Sequence, residues 1–134
     1  MDQESLDAIV RRNQSKLQPL ANASINQFKA EVEVFFHECK PMEYFGRFRD
    51  NGPDEEFSEW EQKSPSLVVR SVSYDNEAIY ISYTGEPTDS AIVIFIDRLT
   101  EGETHQYALI PDVGLLIQSN SPDYDEDHLL VFQQ

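Results

Sequence analysis

From Ser66 onward the chain is a succession of short β-prone runs separated by turns too short to hold a crossover helix. Val, Ile, Thr and aromatic residues favour strands, and Gly, Pro, Asn and Asp favour the turns between them. Short turns join antiparallel strands, whereas parallel strands need a long connection. The pattern predicts an antiparallel meander with strands near 66–74, 78–84, 90–98, 104–110, 113–119 and 128–133.

Two runs in this region suggest where they lie in the sheet. Residues 91–97, AIVIFID, are apolar at consecutive positions, which predicts a central strand buried on both faces. The last run, HLLVFQQ, is predicted to be an edge strand that could pair with a partner's strand or with a second copy in a homodimer. The predicted core includes Phe28, Phe35, Ile94 and Phe95.

The first forty residues carry helical periodicity instead. Apolar residues spaced three or four apart predict a helix over 3–18, which Pro19 ends. A second helix is predicted to begin at Ser24, where the sequence has a capping-box pattern, and to end before Pro41. We expect the two to form a helical hairpin through residues 19–23.

Residues 41–65 are predicted to connect the helices to the sheet. The segment is rich in aromatic residues and contains several Gly and Pro breakers, and 54–62 is predicted to add a short helical turn. The predicted fold is one α+β domain over 1–134, with a helical hairpin (1–40) on one face of a five- or six-stranded antiparallel meander sheet (66–134).

Charge is distributed unevenly along the chain. Residues 1–49 hold seven Lys/Arg and seven Asp/Glu, whereas residues 50–134 hold three and eighteen, so the whole net charge of −15 lies in the second part. Such a field attracts cationic partners and repels nucleic acid and anionic membranes. We therefore expect a basic protein partner and no direct binding to nucleic acid or membrane. Acidity that serves only solubility, or adaptation to high salt, is the alternative.

The single cysteine, the N-terminus and the apolar runs indicate the cellular compartment that we expect for this protein. Cys39 is the only cysteine, so no disulfide can form within the chain, which fits a reducing compartment. The N-terminus has acidic residues where an export signal needs basic ones. The longest apolar run, 91–96, is six residues, against about 20 needed to cross a bilayer. We expect a soluble, cytoplasmic protein.

Two acidic clusters are the candidate partner-binding residues. Their aromatic side chains would supply contact area, and their carboxylates would steer and pair with Lys and Arg of a basic partner. Solvated carboxylates, with the aromatic rings in the core, are the alternative. The first cluster is Asp54, Glu55, Glu56, Phe57, Glu59, Trp60 and Glu61, and the second is Asp123, Tyr124, Asp125 and Asp127.

No motif predicts a catalytic residue, a cofactor or a metal. The alternating aspartates at 123–127 match the start of a calcium loop, but His128 stands where glycine is required and Gln134 where glutamate is required. Zinc, phosphate-loop and nucleophile-elbow spacings are missing. Asp97 and Arg98 are the best placed acid–base candidates, although a surface ion pair is the simpler interpretation.

These observations favour a small acidic protein-binding module, such as a stoichiometric inhibitor or immunity-type protein that neutralises a basic, nucleic-acid-handling partner. A small α+β enzyme or ligand carrier, with a pocket between helices and sheet, is the alternative from another class. A docking subunit of a larger assembly is a third hypothesis.

Overall fold

The computed structural model describes residues 1–50, 54–96 and 102–133. Helices α1 (Gln3–Arg12) and α2 (Ile25–Phe35) lie in the first part of the chain. The strands are β1 (Gln18–Pro19), β2 (Met42–Asp50), β3 (Glu61–Tyr74), β4 (Ala78–Gly85), β5 (Ser90–Phe95), β6 (Thr104–Ile110), β7 (Gly114–Asn120) and β8 (Tyr124–Phe132). Neither helix among these residues is long and apolar enough to span a bilayer.

The described strands form one curled antiparallel sheet in the order β1-β6-β7-β8-β2-β3-β4-β5. It consists of two meanders, β2 to β5 and β6 to β8, joined where β8 pairs with β2 from Met42↔Phe132 to Asp50↔Tyr124. The predicted five- or six-stranded meander is therefore wrong. The described part of the sheet has eight strands, and β5 and β6, neighbours in the chain, are not neighbours in the sheet.

The strands missed by the sequence prediction lie largely in the segment predicted to be a connector. β2 occupies residues 42–50, and β3 begins at Glu61 rather than 66. Residues 54–60 are not helical, so the predicted helical turn is wrong. Local propensity fails here because Gly46 and two arginines weaken the strand pattern of β2, whose pairing with β8 is supplied by residues some 80 positions away.

The strand predicted to be central lies at an edge of the sheet, and the strand predicted to be an edge lies inside it. β5, predicted to be central, is an edge strand that pairs with β4 alone among the described residues. β8, predicted to be an edge, lies between β7 and β2. Ile94 is buried as predicted, but Phe95 is 38% exposed and does not belong to the core. A continuous apolar run predicts two covered faces, and β5 has only one.

The two helices pack on opposite faces of the sheet, so the predicted hairpin on one face is also wrong. Helix α2 buries Phe28 and Val32 in one apolar cluster, and α1 buries Leu6 and Val10 in another. Strand β7 contributes Leu115 and Ile117 to the α2 cluster, and Leu116 between them to the α1 cluster. Because β7 and β8 are apolar at consecutive positions, both of their faces need a cover.

Both helices are shorter than predicted. Helix α1 ends at Arg12 and a turn of 3-10 helix follows at Gln14–Lys16. Helix α2 begins after Ser24 as predicted, but the Ser24 hydroxyl does not cap it. That oxygen instead accepts from the backbone N–H of Ala21 at 3.0 Å and lies 2.9 Å from the carbonyl of Pro19. Ser24 therefore fixes the turn that leads into α2.

Candidate protein-binding site

Two arginines of β2 lie opposite two aspartates of β8 on the face covered by α1. The register pairs Arg47 with Asp127 and Arg49 with Asp125. Arg47 Nε donates to Asp127 Oδ2 at 2.8 Å, and Arg49 Nε donates to Asp125 Oδ2 at 2.6 Å. We name these four residues the arginine–aspartate ladder. Asp125 and Asp127, two of the predicted partner contacts, are buried in it and neutralised from within the chain.

Helix α1 completes the ladder through Asp7 and Trp60. Arg47 Nη1 and Trp60 Nε1 both donate to Asp7 Oδ1, at 2.7 and 2.9 Å. The Gln3 side chain accepts from the backbone N–H of Trp60 at 2.6 Å and donates to its carbonyl at 3.0 Å. Trp60, predicted as a partner contact, is buried and fastens α1 to the start of β3.

Burial and the ion pair act in opposite directions on Asp127. Burial raises the pKa of this carboxyl above its usual value, while the hydrogen bond and positive charge of Arg47 act to lower it. The net effect on the pKa is upward, which shows that desolvation outweighs the ion pair at this position. Arg47 therefore supplies the main interactions that favour a charged Asp127 against the cost of its burial.

Phe57 covers the ladder and holds the acidic segment against the sheet. Its ring centre lies 4.1 Å from the Arg47 guanidinium carbon and 4.4 Å from that of Arg49. The next residue, Ser58, donates its backbone N–H to the Phe48 carbonyl at 2.7 Å and accepts the Phe48 N–H on its hydroxyl at 3.0 Å. These contacts fix Phe57 and Ser58 against the sheet and so position the glutamates next to them, Glu56 and Glu59.

Phe57→Ala is expected to lower the free energy of unfolding by about 2 kcal/mol, because two guanidinium groups lose an aromatic face. Phe57→Leu keeps an apolar cover and is expected to lower it by about 1 kcal/mol. Urea denaturation of the two variants measures both values. Equal losses would show that the ring acts only as apolar cover, not as a cation–π partner.

Apart from Glu61, the exposed carboxylates near the ladder form no ion pair among the described residues. Arg47 and Arg49 are held by buried aspartates, and Glu61 pairs with Lys63 at 3.1 Å. The remaining acids here are exposed and form no ion pair within the described part of the chain: Asp50, Asp54, Glu55, Glu56, Glu59 and Asp123. Five predicted partner contacts therefore lie on the surface without an ion pair, namely Asp54, Glu55, Glu56, Glu59 and Asp123, and Glu61 lies there paired with Lys63.

An exposed aromatic pair lies on the opposite face of β2 and β8 from the ladder, next to Asp50 and Asp123. Phe48 and Tyr124 stack with ring centres 6.1 Å apart and planes 17° apart, and they are 45% and 38% exposed. Asp50 is directly opposite Tyr124 in the register. We name this region, where β2 ends and β8 begins, the acidic end. It has two sides: Phe48 and Tyr124 with Asp50 and Asp123 on one face, and Glu55, Glu56 and Glu59, preceded by Asp54, on the ladder face of the same strands.

The sequence analysis identified Tyr124 and missed Phe48. The signal was present in two complementary alternations, Arg-x-Arg at 47–49 and Asp-x-Asp at 125–127. Because alternate residues of a strand face opposite sides, a paired ladder of these residues turns Phe48 and Tyr124 to the other face. Recognising this pairing would have predicted β2, the burial of the two aspartates and the aromatic pair together.

A second feature is a cavity of about 550 Å³ between β5 and the ends of β6, β7 and β8. His128 lies on its wall, with Nδ1 2.6 Å from the Tyr44 hydroxyl and Nε2 3.1 Å from Glu126 Oε1. With the proton on Nε2, Tyr44 donates to the ring and the ring donates to Glu126. The His128 hydrogen bond lowers the pKa of Glu126, and burial raises the pKa of Tyr44.

His105 lies on the same cavity wall and is also engaged at both ring nitrogens. Its Nδ1 is 2.7 Å from the Ser119 hydroxyl and its Nε2 is 2.8 Å from the Phe95 carbonyl. Each histidine therefore has a protein partner at every ring nitrogen. The acid–base candidates Asp97 and Arg98 lie outside the described residues.

The described residues contain no group of three or more His, Cys, Asp or Glu side chains arranged to hold a metal ion. Comparison with protein-family models, curated proteins and solved structures finds no match for this chain. Function is therefore inferred from the acidic end and the cavity.

Proposed function

We propose that this protein is a small acidic protein-binding module of the cytoplasm, a stoichiometric inhibitor or immunity-type protein that neutralises a basic, nucleic-acid-handling partner. The observation that supports this most directly is the acidic end. There, a stacked and exposed aromatic pair lies beside Asp50 and Asp123, and further exposed glutamates lie on the other face of the same strands. None of these carboxylates forms an ion pair within the described residues. Aromatic anchors ringed by charge are typical of binding hot spots.

The ladder makes the surface charge of the acidic end available to a partner. Had Arg47 and Arg49 reached the surface, they would have neutralised the nearest glutamates. Instead, the two guanidinium groups form ion pairs with Asp125, Asp127 and Asp7. Neither is left to pair with the exposed glutamates. Proteins that handle nucleic acid carry positive clefts for phosphate, and a concentrated negative field speeds association with such clefts.

The acidic segment is also preorganised. Phe57 packs on both guanidinium groups, and Ser58 pairs with the Phe48 backbone, so their immediate neighbours Glu56 and Glu59 are carried by a fixed loop. A fixed loop loses less conformational entropy when a partner binds. The surface therefore combines charge, aromatic area and order.

Charge reversal at the acidic end tests the proposal. The partner is first isolated with the immobilised protein at about 0.05 M salt and released at about 0.5 M, where screening is strong. Glu55→Lys/Glu56→Lys is then expected to slow association with that purified partner by about tenfold and to flatten its salt dependence. The glutamates are exposed and unpaired, so the unfolding midpoint should remain unchanged. Stopped-flow kinetics and thermal denaturation provide the two readouts.

Two single substitutions with the same change in net charge provide the control. Glu56→Lys and Glu86→Lys each raise the net charge by two units. Glu86, however, lies in the turn after β4, away from the acidic end. Glu56→Lys is expected to slow association by about threefold and Glu86→Lys by less than about 1.5-fold. Equal effects would attribute the rate to overall charge, and isolation of only acidic or neutral proteins would contradict the proposal.

The cavity favours a ligand carrier or enzyme as the second candidate. It is large enough for a small molecule and is lined by two histidines, Glu126 and Ser119. It ranks second because each histidine nitrogen already has a protein partner, so a ligand would have to displace one. A metabolite that raises the unfolding temperature of the wild-type protein, but not of Ser119→Trp, would favour it over the binding module.

A further inference from the structure

Strand β5 has an open backbone edge at Ala91 and Val93, whereas the Phe95 carbonyl on the same side lies 2.8 Å from His105 Nε2. The Ile96 N–H donates to the Glu77 carbonyl at 2.8 Å, and Ile79 is registered opposite Ile94. Because hydrogen-bonded positions alternate in an antiparallel pair, the backbone groups of Ile92 and Ile94 point to β4. Those of Ala91 and Val93 therefore point away from the sheet, where no described strand pairs with them.

The cavity runs beside this edge and is acidic. Val93, Ile94 and Phe95 form one wall, and the opposite side includes Glu103, Asp123 and Glu126. None of the described residues that line the cavity is lysine or arginine. The positive charge of Lys63 reaches Glu126, but this lysine is paired with Glu61.

We infer that the β5 edge and this cavity bind an extended, lysine- or arginine-containing segment of the basic partner by strand addition, an inference that rests on the proposed function. The outward backbone groups of Ala91 and Val93 would supply the hydrogen bonds. Side chains of an added strand alternate between two faces. Basic residues on one face would meet Glu103, Asp123 and Glu126, and apolar residues on the other would meet Val93 and Phe95, which are 39% and 38% exposed.

Charge favours a basic segment over a second copy of the chain. Pairing two β5 edges would bring together two acidic cavities in two chains that each carry a net charge of −15. Like charges facing each other across an interface act against association. A basic strand would neutralise the same carboxylates, and the cavity gives its longer side chains room.

A short acetylated and amidated peptide that alternates Lys with Val and Thr is the probe. Val93→Pro removes the outward N–H and leaves the β4 pairing intact, since proline is tolerated on a free edge. It is expected to weaken peptide binding by about fivefold, whereas Val93→Thr keeps the N–H and should change it by less than about twofold. Fluorescence anisotropy measures both affinities, and amide NMR shifts of wild-type protein should concentrate at Ala91 and Val93.

The same peptide methylated at alternate backbone nitrogens keeps every charge but loses strand pairing. Binding that is unaffected by this methylation and by Val93→Pro, with shifts confined to Asp50 and residues 54–59, would overturn strand addition and leave the proposed function standing. If Val93→Pro weakens peptide binding as expected but Glu55→Lys/Glu56→Lys has no effect on association with the partner, the edge site is supported and the proposed role of the acidic end is contradicted. Sedimentation showing a dimer that Val93→Pro abolishes would identify a second copy as the occupant and overturn the inference.

Discussion

Arg47→Ala is expected to lower the free energy of unfolding by about 3–5 kcal/mol, the range for removing one partner of a buried ion pair. Arg47 Nε and Nη1 donate to Asp127 and Asp7, and the Asp127 side chain is 2% exposed. Without the guanidinium, Asp127 must stay charged in an apolar interior or take up a proton. Urea denaturation at neutral pH measures the loss.

The loss should depend on pH with a definite sign. Burial already raises the pKa of Asp127 in the folded protein, and removing Arg47 takes away the hydrogen bond and charge that oppose this rise. A carboxyl whose folded-state pKa lies above its unfolded value binds protons better when folded, so its contribution to stability increases as pH falls through the folded-state pKa. The stability difference between Arg47→Ala and the wild-type protein should therefore be smaller in mild acid than at neutral pH.

Two variants separate this effect from the general loss of an arginine. Arg70→Ala removes an exposed side chain whose Nε donates to Thr84 Oγ1 at 3.0 Å, and it should change stability by less than about 0.5 kcal/mol. Arg47→Met/Asp127→Leu removes both charges and should recover most of the loss, because no buried charge remains unpaired. A loss below about 1 kcal/mol for Arg47→Ala would show that Asp127 finds water or another donor.

Local pattern in the sequence predicted local structure well. The strands near 78–84 and 104–110 agree closely with β4 and β6, and the N-terminal helices begin where predicted. Hairpin turns and helical periodicity depend on neighbours in the chain, so a single sequence reports them. Antiparallel pairing was predicted for the same reason.

The order of the strands, and the face of the sheet that each helix covers, could not be predicted from local sequence pattern. Whether the run 91–97 is central, and whether the last run is an edge, depend on β2, whose own strand character comes from its pairing with β8. The two-sided apolar pattern of β7 and β8 fits their cover on both faces, but nothing local assigned α1 to one face and α2 to the other. These are long-range properties of the curled sheet.

The same distinction applies to the candidate site. The surface position of Glu55, Glu56 and Glu59 followed from composition alone, because unpaired carboxylates belong in water. Asp125 and Asp127 are also carboxylates in an acidic run, but their burial depends on two arginines of another strand. Charge thus indicated which glutamates lie at the surface, although it could not show which acids had an internal partner.

Phe28→Ala is expected to lower the free energy of unfolding by about 3–5 kcal/mol, because the side chain is fully buried between α2 and the sheet. Its ring meets Tyr107 edge to face, with ring centres 4.8 Å apart and planes at 76°. Val34→Ala on the same helix is the control. Val34 is 71% exposed, so its truncation should change stability by less than about 0.5 kcal/mol.

Double-mutant cycles with Phe28→Ala then test the opposite-face arrangement directly. Tyr107 lies in the α2 cluster with Phe28, so Phe28→Ala and Tyr107→Leu should couple by about 0.5–1.5 kcal/mol. Leu116 lies in the α1 cluster on the other side of the sheet, so Leu116→Ala should be additive with Phe28→Ala within about 0.5 kcal/mol. Strong coupling to Leu116 and none to Tyr107 would place α2 on the α1 face and contradict the fold, since a side chain that shares no contacts with Phe28 has no direct route to that coupling.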